Sequence, residues 1–325
     1  MEKTLPAARY WGPLPCKSGN TAAEAGGRCE VGHQGKVALI VGASTGLGRG
    51  VADRLAKAGM TVIGTSRTPQ EYLNGGSCTY TRPGDRCKPD GWQLWQLDMT
   101  SQSSVDALMQ RMKNTYGRID FLFLNAGRGY GSNSFNPNGK TWCNDVSRMQ
   151  VLMDTNFMGP VRTLLAALPL IPRSGYARIL VTASVATWVS IPGGLPYGAS
   201  KAAVADIGEE WLYEHYDGRA KNIKFTTLHP GSMLSDLARK SVPACDKQAN
   251  NFQNDWKQWE AGSYDRPNSV YLTPAQGGEA LYRLAIDPSP KMRYILNEQR
   301  SLSFMRRRLC THMTAPMDVW PKAWN

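Results

Sequence analysis

The chain is 325 residues long, 42% hydrophobic and formally +12 at pH 7, which is enough to bury a substantial core and within the range one α/β domain fills. Its longest apolar runs, such as Val37 to Val41, fall far short of the roughly 20 residues that cross a bilayer, and the N-terminal region lacks the apolar stretch a secretory signal needs. Lys and Arg are scattered rather than clustered, so the charge points to a solvated basic surface that attracts a phosphorylated cofactor, and away from nucleic acid.

Residues 1–34, with Glu2, Lys3, Arg9 and Lys17 among prolines, read as an irregular arm. Lys36 to Val41 is a continuous apolar run ending at a glycine, the pattern of a strand buried on both faces of a parallel sheet. Residues 47–59 switch to helical spacing, with Leu47, Val51 and Leu55 on one face and Gly59 as the stop. A second strand follows at Thr61 to Thr65, completing a βαβ unit. The alternation continues with strands at Trp92 to Leu97, Asp120 to Leu124, Ala177 to Thr182 and Ile223 to Leu228. Helices are expected around 103–116, 149–168 and 199–217, then a late helix at 275–286 and a short strand at Arg293 to Asn297. Strands alternating with helices predict an α/β fold: a doubly wound parallel sheet of Rossmann type in three α/β/α layers, with its ligand at the carboxyl ends of the strands. Three stretches break the alternation: the arm, the Gly/Pro/Cys-rich residues 73–91, and the Trp/Asn/Gln-rich residues 236–268.

Seven cysteines are present, with no CxxC or Cys/His cluster at zinc-ligand spacing, so no metal is expected. Cys16 with Cys29, and Cys78 with Cys87, lie close enough in sequence to be bridged within loops, which would suit an oxidising compartment; free buried cysteines are the other reading. The cytoplasm is the expected location, with an organelle or oxidising compartment left open.

Gly42-Ala-Ser-Thr-Gly46-Leu-Gly48 joins the first strand to the first helix, where glycines let the backbone approach a diphosphate at the helix N-terminus. Ser44 and Thr45 offer hydroxyl donors beside it, and Leu47 starts the apolar helix face. The residue ending the second strand discriminates between cofactors, since an acidic group there would accept from the adenosine ribose of NAD. Here it is Ser66 followed by Arg67, and a guanidinium suits a 2′-phosphate, so NADP(H) is preferred and NAD(H) remains usable.

Tyr197-Gly-Ala-Ser-Lys201 places a phenol and an ammonium four residues apart, on one face if helical. A nearby positive charge favours the phenolate, so the Tyr197 pKa is expected to fall below its free value of about 10. A phenol tuned in this way exchanges a proton with a carbonyl or alcohol oxygen while a hydride moves. Thirteen residues upstream, Ser184 lies just past the strand Ala177 to Thr182, where its hydroxyl can bond the reacting oxygen.

Taken in order, these motifs resemble the short-chain dehydrogenase/reductase family in its single-domain branch, from about Lys36 to Asn297. Gly42, Gly46 and Gly48 match its TGxxxGxG turn, with Val41 in place of threonine. Asp98 and Met99 match the acidic residue at the adenine edge and its neighbour. Asn125-Ala126-Gly127 matches NNAG, with Leu124 in place of the first asparagine. Pro230-Gly231 matches the motif flanking the nicotinamide, with Ser232 and Met233 where backbone contacts fall and Ser235 where threonine is usual. The resemblance implies a catalytic tetrad of Asn156, Ser184, Tyr197 and Lys201, in which Asn156 holds a water linked to Lys201 and the lysine also binds the nicotinamide ribose.

By the same resemblance, 35–297 is the catalytic domain, about 232–268 is a substrate lid and 298–325 is a tail. Leu234, Leu237, Val242, Phe252, Trp256 and Trp259 are the lid's apolar candidates. Pro288 to Leu309, with Arg306-Arg-Arg308, is similar to tails of members acting on steroids and other bulky hydrophobic carbonyls or alcohols. The helices at 149–168 and 199–217 would pair subunits into a homodimer or homotetramer. The alternative from another class is a non-catalytic dinucleotide-binding subunit, with arm and tail docking onto partners.

Overall fold

The computed structural model describes residues 33–78, 84–129, 146–173, 175–188, 195–214, 222–231, 233, 235–237, 272–287, 290 and 292–296. Residues 1–32, most of the expected lid (238–271) and everything from 297 onward lie outside the described residues, as do Ser232, Leu234 and the Cys16–Cys29 pair.

Seven strands form one sheet: β1 (Val37–Val41), β2 (Thr61–Ser66), β3 (Gln93–Gln96), β4 (Phe121–Leu124), β5 (Ala177–Thr182), β6 (Ile223–Pro230) and β7 (Arg293–Leu296). Their order is β3-β2-β1-β4-β5-β6-β7, every neighbouring pair parallel. The chain therefore runs outward from β1 to β3, returns to the centre, and runs outward the other way from β4. Crossovers leave β1 and β4 in opposite directions, so a crevice opens between their carboxyl ends.

Both faces of the sheet are covered, which is why its strands read as unbroken apolar runs. Leu39 and Val41 point into one core layer with Leu122, Leu124, Ile179 and Val181; Ala38 and Ile40 point into the other with Phe121, Phe123 and Leu180. The first layer is closed by α3 (Gln102–Thr115), α5 (Gly159–Ala167) and α6 (Leu195–Glu214), the second by α1 (Gly46–Lys57) and α7 (Pro274–Ile286). This is a doubly wound Rossmann-type fold. The expected α/β architecture holds, and element ends differ from expectation by a few residues at most, as fraying ends do.

The helix expected at 149–168 runs as α4 (Val146–Met153), a π-helical turn over Asp154–Met158, and α5. The π turn, which no apolar periodicity announces, lets Asn156 face inward. A short α2 (Gln70–Leu73) opens the irregular stretch after β2, and Cys78 and Cys87 in that stretch are disulfide-bonded with Cα atoms 5.1 Å apart.

α1 and α7 cross in close backbone contact. A Cβ on Gly50 would fall on the carbonyl of Pro274, and one on Gly278 on the carbonyl of Gly50. Thr273 and Gln276 cap α7 reciprocally, fixing where it meets α1. Gly50→Ala is therefore expected to destabilise the fold by about 1–3 kcal/mol through overpacking against backbone that cannot rotate away. Denaturant unfolding monitored by circular dichroism checks this, and an unchanged midpoint would contradict the close crossing.

Candidate active site

The carboxyl ends of β1, β2, β4, β5 and β6 surround a cleft of about 790 Å³. Its floor is the turn after β1. Gly42 has φ +82° and Gly46 φ +59°, left-handed conformations that favour glycine. A Cβ at Gly42 would lie 2.7 Å from Ala126 Cα, so the turn and the end of β4 meet with no room for a side chain.

Cross-bonds hold this floor open. Gly42 N donates to Thr65 Oγ1 (3.2 Å) and Ala43 N to the Thr65 carbonyl (2.9 Å). Asn125 donates its Nδ2 to the Gly42 carbonyl (2.9 Å) and accepts from Thr182 Oγ1 (3.3 Å), spanning the ends of β1, β4 and β5. Gly48 does not line the cleft: a Cβ there would lie 2.6 Å from Asn125 Nδ2, so its role is to let α1 start this close.

At one end of the cleft lie Ser66, Arg67, Asp98 and Met99. Asp98 accepts from Thr100 Oγ1 at 2.7 Å and Thr100 N at 3.0 Å; this hydrogen bonding, with a smaller contribution from the Arg67 charge, keeps its carboxyl below the usual range. Arg67 is exposed at the rim.

At the other end β5 delivers Ser184 and α6 delivers Tyr197 and Lys201. Ser184 caps a short 3₁₀ turn, accepting from Ala186 N at 3.1 Å, and its hydroxyl lies near enough to the Tyr197 phenol to pull that group's pKa down. Lys201 is buried at 3% exposure and donates to the Thr182 carbonyl at 2.8 Å, with its Nζ 5.9 Å from the Tyr197 ring centroid. A Cβ at Gly127 would sit 3.2 Å from Lys201 Nζ and 3.3 Å from Asn156 Oδ1, so the glycine of the Asn-Ala-Gly turn leaves space for both groups.

Asn156 lies behind the cleft rather than on its wall. Its Oδ1 accepts from Arg128 N at 2.7 Å, and its Nδ2 donates to Arg128 O and Ser200 Oγ, each at 2.9 Å. It thereby ties the loop after β4 to α6. Met233 and Pro230-Gly231 line the cleft.

Electrostatics at the reacting end depart from the sequence-based expectation. Burial pushes the Tyr197 phenol up from 10.0, with the Ser184 hydrogen bond pulling only partly the other way. Burial brings Lys201 down to about 8. Desolvation of the phenol outweighs the pull of the Lys201 charge, whose ammonium is turned toward the Thr182 carbonyl.

Three contributors carried no sequence signal of their own. His229, stacked on Trp188 with centroids 3.9 Å apart, approaches the Ser184 carbonyl with Nδ1 at 3.2 Å. Burial brings its pKa down to about 4, so it is neutral and braces the serine through a donated proton. Arg86 and Asp236 line the cleft from segments that read only as irregular.

The family profile described as short chain dehydrogenase matches residues 36–246. The chain belongs to that family. It is an oxidoreductase of the type acting on CH–OH and C=O groups. Human 17-beta-hydroxysteroid dehydrogenase type 1 is 28% identical over 275 residues, covering 84% of this chain and 80% of the relative. Among solved structures, a short-chain dehydrogenase from Streptomyces avermitilis superposes with a TM-score of 0.64 at 23% identity, covering 86% of this chain and 94% of the other. An alcohol dehydrogenase from the archaeon Thermococcus sibiricus, complexed with 5-hydroxy-NADP, superposes at 0.58 with 22% identity over 82% and 97% of the two chains. These structural likenesses concern the fold. No helix among the described residues is long and apolar enough to cross a membrane.

The burial of Lys201 yields a direct test. In the cofactor-free protein its ammonium is expected to titrate near 8, against 10.5 for a solvated lysine, as read by NMR of labelled lysine with Lys201→Met for assignment. Titration of that resonance only above pH 10 would contradict the buried environment.

Proposed function

We propose that the chain is an NADP(H)-dependent oxidoreductase that interconverts a carbonyl and an alcohol, with Tyr197 as the general acid and base. The observation that carries this is the meeting of the Tyr197 phenol with the Ser184 hydroxyl and the Lys201 ammonium at one end of a cleft whose floor is the Gly42–Gly46 turn.

The residues present fit a dinucleotide. The turn has no room for side chains, and two phosphate oxygens can meet backbone N–H groups and the hydroxyls of Ser44 and Thr45 at the start of α1. Gly46 and Leu47 continue that turn, Asp98 and Met99 would flank the adenine, and Asn125, Ala126 and Gly127 form the opposite wall. Lys201 would bind the nicotinamide ribose, and Pro230, Gly231 and Met233 would flank the nicotinamide; Ser232 belongs to the same proposal and lies outside the described residues. The absence of a carboxylate at Ser66, followed by the exposed cation Arg67, supports NADP(H) over NAD(H).

When bound, the nicotinamide supplies or accepts the hydride at the carbonyl carbon. Tyr197, held protonated by burial, donates its phenolic proton to the carbonyl oxygen in reduction and recovers one in the reverse direction. Ser184 bonds the same oxygen and is steadied from behind by neutral His229. Lys201, charged below about pH 8, favours the phenolate formed when Tyr197 gives up its proton. Asn156 holds Arg128 and Ser200 in place, so the wall carrying Gly127 stays fixed against Lys201.

The substrate is proposed to be a bulky hydrophobic ketone or alcohol, supported by Met233 and Leu237 on the cleft wall and by the similarity to a hydroxysteroid dehydrogenase. Pairing of subunits through the α4–α5 helix belongs to the same reading: Val151, Met158 and Leu165 are 46%, 40% and 61% exposed on it.

Turnover of NADPH with a panel of ketones and aldehydes tests the chemistry. Tyr197→Phe is expected to lower kcat by about 100-fold to 10,000-fold while leaving NADPH affinity nearly unchanged. Tight NADPH binding with no turnover of any substrate would favour a non-catalytic subunit instead. Arg67→Asp is expected to weaken NADP(H) binding relative to NAD(H) by about tenfold or more, since a charge-assisted bond becomes a repulsion. Titration of both cofactors by fluorescence measures that ratio, and an unchanged ratio would sink the assignment.

A further inference from the structure

The irregular stretch after α2 reaches across the cleft. Gly84 N donates to Asp236 Oδ1 at 2.8 Å, and Arg86 Nη1 lies 3.5 Å from Asp236 Oδ2. Asp236 follows β6, on the far side of the crevice from β2, and is 1% exposed. On the near side Arg86 Nε lies 3.4 Å from Glu71, and its guanidinium stands 5.0 Å from the Tyr72 ring centroid. Glu71, Arg86 and Asp236 share the cleft wall with Ser44, Ser66 and Arg67. Residues 84–86 thus bridge the two walls beside the phosphate-facing floor.

Among the described residues, two different attachments hold this bridge. Its C-terminal limb is pinned to α1, where buried Arg49 donates to the carbonyls of Cys87 (2.8 Å) and Lys88 (3.2 Å). The Cys78–Cys87 disulfide, across a sequence separation of 9, ties that end back to the chain just after α2. Cys87 is fully buried while Cys78 is exposed, so an external thiol reaches the bond from the Cys78 side.

We propose that this loop is a disulfide-held clasp over the dinucleotide cleft, in which Arg86 and Asp236 are positioning residues and the Cys78–Cys87 bond sets how firmly the cofactor is retained. The proposal rests on the cofactor reading above. Closing the ring restricts the conformations open to residues 84–86, so the grip on Asp236 is kept at small entropic cost. Opening it removes that covalent tie, and the buried Asp236 carboxylate then loses its bonds to Gly84 and Arg86, which loosens the start of the segment after β6. A dithiol reductant performs the opening. Its thiolate attacks Sγ of Cys78, the S–S bond breaks, and Cys87 leaves as a thiolate that takes up a proton. The reductant's second thiol then displaces Cys78 as a thiol. Two electrons and two protons pass to the loop, and the dithiol ends as a cyclic disulfide.

Stopped-flow dissociation of NADPH from the full-length protein tests the clasp, before and after dithiothreitol, with thiol counting to confirm that the bond has opened. Reduction is expected to raise the dissociation rate by about tenfold, the equivalent of one weakened polar contact. Cys78→Ala/Cys87→Ala should show the raised rate without reductant and no further response to it, which separates this bond from the other five cysteines. Arg86→Gln, which leaves the disulfide intact, should raise the rate and blunt the effect of reduction; it keeps the test valid if the cysteine variant fails to fold. Equal rates before and after confirmed opening, or an undiminished reductant response in the double variant, overturn the clasp. Failure of NADPH to bind the oxidised wild-type protein overturns the cofactor reading and the clasp together.

Discussion

The carboxamide of Asn125 is the constraint on which the cleft depends. It donates to the carbonyl of Gly42, where the glycine turn leaves β1, and accepts from Thr182 at the end of β5, so one side chain fixes the spacing of three strand ends. Thr182 in turn presents its carbonyl to Lys201. The floor of the cleft and the ammonium at its other end are therefore three hydrogen bonds apart. A doubly wound sheet always opens a crevice at its switch point, but this cross-bonding converts a topological gap into a wall of fixed polar groups.

Burial does the chemical tuning. Tyr197 and Lys201 sit where water is scarce, and desolvation moves both toward their neutral forms, the phenol up and the ammonium down. The two shifts keep the phenol protonated and bring the lysine's titration toward neutral pH, where its charge is sensitive to its surroundings. His229 stays neutral for the same reason, which suits a group whose task is to donate one hydrogen bond to the Ser184 carbonyl.

The segment between α2 and β3 changes the character of the adenosine side of the cleft. It bridges the two walls with its own disulfide, anchored on α1 through Arg49 and on the segment after β6 through Asp236. In the proposed clasp, cofactor retention would depend on residues far apart in sequence and on a covalent bond away from Tyr197.

Much of this was legible from the residues in order. Apolar runs such as Val37 to Val41 name buried strands because both faces of a parallel sheet must be covered, and the Gly42–Gly48 spacing names the turn because no side chain fits there. The i, i+4 spacing of Tyr197 and Lys201 places both on one helix face. Periodicity is local, however, and whatever depends on three-dimensional neighbours was beyond it. The direction of the Tyr197 shift was misjudged because charge proximity shows in a sequence while desolvation does not. Asn156 turns inward through a π turn that has no apolar signature, Arg86 and Asp236 meet across about 150 positions, and the Cys78–Cys87 pair was one of two readings until folding brought the sulfurs together. The sequence by itself determined the fold class and the family of chemistry, because strand patterning and motif spacing are properties of neighbours along the chain. Tertiary structure alone decided the protonation tendencies and the wall over the cleft, because both arise from groups that meet only when the sheet closes.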